Sequence, residues 1–159
     1  MMHTLSVLVE DKPGVLTRID GLFARRGFNI ASLAVGESEA PDLSRITITI
    51  DGEAHPIDQV TKQLHKLINV VKIRDLDPES MVTAELMLMK VSAEGAKRAE
   101  VMQIAEIFRA KIVDLDKRCM TLRVVGDVSK LEAFRDLLRP FGVLEVVRTG
   151  TVAIGRGRG

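Results

Sequence analysis

One order of strands and helices is written through this chain twice, and few folds accept it. Residues 4–9 are an apolar, β-rich run closed by a Pro13-Gly14 turn. Val15, Leu16, Ile19, Leu22 and Phe23 then fall on one helical face. Arg25 and Arg26 suit a last helical turn, and Gly27 suits the position after it. Residues 28–35 read as extended and 36–43 as a loop. Over residues 44–50, Ile46, Ile48 and Ile50 alternate with Arg45, Thr47 and Thr49, the period of a half-buried strand. Ile57, Val60, Leu64 and Leu67 or Ile68 mark a second helix, and residues 70–76 a fourth strand. The order is βαββαβ.

A polar break at residues 77–80 separates this from a second copy of the order. Residues 82–91 form a strand rich in Leu and Met. Val101, Ile104, Ala105 and Phe108 form a helix face. Residues 112–116 and 119–126 form a hairpin turned at Lys117-Arg118. Asp127 caps a helix carrying Val128, Leu131, Phe134 and Leu138, which Pro140 and Gly142 end. Residues 144–149 close the unit. The expected fold is α+β: two tandem ferredoxin-like βαββαβ domains, 1–77 and 78–159, with a disordered tail from about residue 151. Units of this size bury a limited share of their surface and leave sheet edges open. Edge pairing about a two-fold axis answers both problems.

Composition narrows the function. The formal net charge is +1, which argues against a general polyanion binder. One cysteine, Cys119, allows no internal disulfide and no Cys-x-x-Cys metal loop, and it fits a reducing cytoplasm. No apolar run is long enough to span a membrane. An RNA-recognition module of this topology needs aromatics on its open sheet face. Here Phe23, Phe28, Phe108, Phe134 and Phe141 sit in helices or at element ends. An acylphosphatase-like enzyme finds only Arg18 and Asn29 to work with. His3, His55 and His65 lack ligand spacing and read as surface residues, and Arg18 reads as a solvated helix charge. The chain offers no convergent catalytic set and no metal cluster.

What remains is binding of a small molecule. Gly14 lets the backbone approach a ligand closely. The N–H groups of Gly14, Val15 and Leu16 open a helix, where nothing within the helix accepts from them. A carboxylate there gains about 0.3–1 kcal/mol from the helix dipole. Each charge-assisted hydrogen bond adds about 1.5–3 kcal/mol.

The residues of this region also carry a resemblance. Residues 5–16 (LSVLVEDKPGVL) resemble the first strand and loop of an ACT domain, an amino-acid-binding regulatory module. Residues 21–33 (GLFARRGFNIASL), 43–47 (LSRIT) and 62–71 (KQLHKLINVV) resemble the regulatory subunits of acetolactate synthase. In the second unit, residues 85–90 (ELMLMK) and 106–115 (EIFRAKIVDL) resemble the C-terminal domain of that family.

The lone cysteine and the lack of a long apolar run read as a cytoplasmic chain, and the resemblance implies one with no chemistry and no cofactor of its own. Its partner is a catalytic large subunit holding thiamine diphosphate, Mg²⁺ and FAD, which it activates and makes sensitive to feedback by valine. It implies a homodimer through the ACT domains, while the near-neutral charge and the short apolar runs point to no nucleic acid and no membrane. The C-terminal domain contributes to contact with the catalytic subunit. The effector residues it implies are Asp11, Pro13, Gly14, Val15, Leu16, Asn29 and Ile30. By its charge Asp11 is the candidate to hold the effector's ammonium group, at a position where many family members carry Asn, and by the family pattern Asn29 reaches in from the neighbouring subunit. The alternative is a free-standing ACT-type amino-acid-responsive regulator, which lacks a helix-turn-helix signal and a basic face here.

Overall fold

A computed structural model describes residues 2–53 and 55–158. The first unit runs β1 (Met2–Glu10), α1 (Val15–Arg26), β2 (Ile30–Glu37), β3 (Leu43–Asp51), α2 (Ile57–His65) and β4 (Val70–Leu76). Its sheet has the order β2-β3-β1-β4, every neighbouring pair antiparallel. The alternation read from the sequence sets the faces. Leu5, Val7 and Val9 of β1 and Ile46, Ile48 and Ile50 of β3 turn inward and are buried. Val15, Ile19, Leu22 and Phe23 of α1, with Val60 and Leu64 of α2, close the core over them. Gly27 ends α1 at φ 71°, and the N–H groups of Gly27 and Phe28 return to the carbonyls of Ala24 and Phe23.

The second unit runs β5 (Met81–Ser92), α3 (Lys97–Ile107), β6 (Lys111–Leu115), β7 (Cys119–Gly126), α4 (Val128–Leu138) and β8 (Val143–Arg148). Its sheet has the order β6-β7-β5-β8. Methionine does much of the packing: Met87, Met89 and Met120 are buried with Leu122, Leu131 and Phe134. Asp127 caps α4, its carboxylate accepting from the N–H of Lys130 at 2.9 Å and the hydroxyl of Ser129 at 2.8 Å. These bonds hold the Asp127 carboxyl below its ordinary value. Val128, expected on the buried face, is exposed instead, as a first-turn residue at the rim of the helix.

The tail departs from expectation. Residues 152–155 are a strand, β9 (Val152–Gly155), which pairs with β5, and Thr151 is buried. The Arg156 N–H donates to the Ser80 carbonyl at 2.8 Å. The two compact units are residues 1–82 with 151–159, and residues 83–150. The division therefore falls inside β5 rather than at the polar break. β9 touches β1, and Val152 and Ala153 border a groove of about 220 Å³ with Ala34, Arg45 and Thr47. Thr4 and Thr47 lie on the helix-free face of the sheet, yet both are buried.

Candidate functional site

Gly14 stands at φ 87°, a left-handed conformation that costs any residue with a Cβ about 1–2 kcal/mol. That turn lets β1 feed α1 with no side chain capping the helix start. The first bond of α1 runs from the Arg18 N–H to the Gly14 carbonyl at 3.0 Å. One expected donor is occupied, because the Val15 N–H bonds the Lys12 carbonyl at 3.4 Å. Thr17, absent from the sequence reading, lies within the same first turn. Among the described residues, the N–H groups of Gly14, Leu16 and Thr17 have no acceptor.

Beside this turn lies a groove of about 410 Å³, bounded by Leu16, Thr17, Asp20, Ile30 and Leu33. It follows the outer strand β2. Of the expected residues, Leu16 and Ile30 border it directly. Gly14 and Val15 precede Leu16 in the chain, and Asn29 precedes Ile30. Asp11, Pro13, Gly14 and Asn29 are all exposed, whereas Val15 is buried in the core. The Asp11 N–H donates to the Asp42 carbonyl at 2.8 Å, which pins the loop. Leu33, Thr17 and Asp20 were not anticipated. The helical spacing of Leu16, Thr17 and Asp20 was visible, as was the strand over residues 28–35, but not that the two face each other across a groove.

Arg18 is not a free surface charge. Its guanidinium donates to the side-chain oxygen of Asn69 at 2.5 Å, and the Asn69 carbonyl accepts from the Glu10 N–H at 2.9 Å. The buried Asn69 thus ties α1 and the end of β1 to the start of β4. Nearby, the Lys12 ammonium beside Glu10 lowers that carboxyl's pKa. Two of the histidines also have partners: His3 lies 3.6 Å from Asp75, and His55 packs edge-on to Phe28 with ring centres 4.9 Å apart. Among the described residues no group of three or more His, Cys, Asp or Glu side chains is placed to hold a metal. Among the described residues no helix is long and apolar enough to cross a membrane.

In the second unit the chief polar cluster is structural in form. Arg148 grips Glu85 with two hydrogen bonds, of 2.7 and 3.2 Å, and reaches Glu132 with a third. Glu85 is only 4 % exposed. The carboxylates raise the Arg148 pKa, and Arg148 in turn lowers that of Glu132.

Two antiparallel βαββαβ units, the first opening into a groove beside a glycine-led helix start, define a tandem ferredoxin-like α+β protein. Comparison with known proteins specifies which. Residues 5–72 match the family described as the AHAS small subunit-like ACT domain, and residues 84–157 match the small subunit of acetolactate synthase. An acetolactate synthase small subunit from Mycobacterium leprae is 50% identical over 155 residues, 98% of this chain and 92% of that one. A probable acetolactate synthase small subunit from Archaeoglobus fulgidus is 50% identical over 157 residues, 99% of this chain and 98% of that one. The crystal structure of the small subunit from Thermotoga maritima superposes with a TM-score of 0.92 at 45% identity, covering 100% of this chain and 99% of that one. This chain belongs to the acetolactate synthase small-subunit family. It is therefore a regulatory subunit of branched-chain amino acid biosynthesis, with a catalytic large subunit as its partner.

Proposed function

We propose that the groove beside β2 binds a free branched-chain amino acid, valine, and that its occupancy sets the activity of the catalytic subunit. The observation that carries this reading is the left-handed Gly14 turn, which leaves N–H donors open at one end of an apolar groove. The effector carboxylate lies on the N–H groups of Gly14, Leu16 and Thr17, where the helix dipole favours an anion. The Asp11 carboxylate takes the ammonium group. The side chain lies against Leu16, Ile30 and Leu33, and burying it contributes about 1.5–3 kcal/mol. The groove volume falls within the range of small-molecule sites, roughly 300–1,000 Å³.

β2 is an outer strand, so a second copy can pair along it and complete the groove with its own Asn29. The chain contributes no cofactor: thiamine diphosphate, Mg²⁺ and FAD belong to the catalytic subunit, which it activates. Catalysis belongs to that partner as well.

The test is an assay of the reconstituted holoenzyme across a valine titration. Asp11→Ala and Asn29→Ala are expected to raise the half-inhibiting valine concentration by about tenfold or more, the scale of one charge-assisted hydrogen bond. Activation at zero valine is expected to stay near that of the unaltered chain. Undiminished inhibition in both variants removes these residues from the site. Calorimetric titration of the isolated chain with valine, leucine and isoleucine ranks the effectors, which differ by about 0.8 kcal/mol for each buried methylene.

A further inference from the structure

β6 is the outer strand of the second unit's sheet, and all five of its residues are exposed. They include Ile112, Val113 and Leu115, the last 57 % exposed. The adjoining helix α3 ends on Ile107, 77 % exposed. An outer strand of this kind offers unpaired N–H and C=O groups beside apolar side chains, a template for another strand.

The register adds a second, independent observation. Lys111 lies opposite Arg123 and Asp114 opposite Thr121, with a shift between Ile112 and Asp114. In an unbroken strand, residues three apart point to opposite faces. The shift brings Lys111 and Asp114 onto the same one. That face lacks helices, because β7 turns Met120, Leu122 and Val124 toward the core. Among the described residues, neither Lys111 nor Asp114 has an ion-pair partner.

We propose that β6 is a self-association edge, paired antiparallel with β6 of a second copy of this chain. A two-fold axis between Ile112 and Val113 sets Lys111 opposite the second copy's Asp114, and Asp114 opposite its Lys111. The same contact is made twice, as a two-fold interface requires. Ile112 and Val113 meet at the centre, where cross-strand aliphatic pairs add to the pairing. The occupant is another copy because the charge pattern is complementary to its own reversal. This edge belongs to the second unit and does not depend on the effector reading.

Two measurements on the full-length chain test it. In an equal mixture of isotopically heavy and light chains, a carbodiimide is expected to join Lys111 to Asp114 in peptides of mixed isotope. Linked peptides of single isotope only, or none, overturn the proposal. In sedimentation at low salt, Lys111→Asp and Asp114→Lys are each expected to raise the dissociation concentration about tenfold, since like charges then face each other. Mixing the two variants is expected to restore the original value, because an all-acidic strand then meets an all-basic one. Single variants that assemble as the unaltered chain does, or a mixture no tighter than its components, overturn it. Both positions are exposed, and an unchanged melting temperature certifies folding in each variant.

Discussion

The two units share one topology yet treat the same loop in opposite ways. In the first, the chain leaves β1, turns at the left-handed Gly14, and starts α1 with open donors beside a groove. In the second, it leaves β5, turns at Gly95 with φ 58°, and starts α3. There Arg98 reaches back across the turn. Its guanidinium donates to the carbonyls of Ala93 at 3.2 Å, Lys117 at 2.8 Å and Asp116. A long side chain from the helix itself stitches that corner to the β6–β7 turn. The first unit keeps its corner open, with Arg18 directed instead to Asn69. A shared fold thus sets where a loop lies, and single side chains decide whether it is free to bind.

The polar interiors differ in the same sense. The second unit holds a buried Glu85 against Arg148, whereas the first packs isoleucine and valine with Asn69 as its buried tie. The sharpest way to break this contrast is Arg148→Ala. It leaves the Glu85 carboxylate buried without its guanidinium, at an expected cost of about 3–5 kcal/mol, read by chemical denaturation. A cost near zero means that the cluster is decorative.

A paired substitution sharpens the comparison of the two corners. Gly14→Ala and Gly95→Ala each force a left-handed residue to carry a Cβ, at about 1–2 kcal/mol, although neither Cβ meets a neighbour. Only Gly14→Ala is expected to weaken the valine response of the holoenzyme. Equal loss in both variants sinks the distinction between an open and a closed loop.

Asp127→Ala removes the cap of α4 and is expected to lower the melting temperature by about 2–4 °C. The smallest effect concerns acid. The folded pKa values of Asp127 and Glu132 lie below their ordinary values of 3.8 and 4.5, so their contribution is complete above those values. It is lost as pH falls through the lowered folded values. Melting temperature measured from pH 6 downward is expected to fall from about pH 4.5, and Glu132→Gln is expected to flatten part of that slope.

Much of the fold was legible in the residues. The inward positions of β1 and β3 follow from strict alternation, and α1 follows from its apolar stripe and the Gly27 stop. The Asp127 cap was legible because capping is local chemistry. The tail was not: Val152–Gly155 has no hydrophobic period long enough to announce a strand, and its partner is about 70 residues away in the sequence. Nor was the donor set complete. Gly14 and Leu16 were expected, Val15 turned out to be bonded to Lys12, and Thr17 was missed.

The sequence by itself determined the periodic elements, the glycine turns and the kinship, because each is written in neighbouring residues or in ordered motifs. Only the tertiary structure decided that β2 is an outer strand facing Leu16 and Thr17, that Asn69 captures Arg18, and that Arg98 closes the second corner. Those facts depend on which distant residues become neighbours. Backbone pairing and side-chain reach fix that only once the sheets have formed.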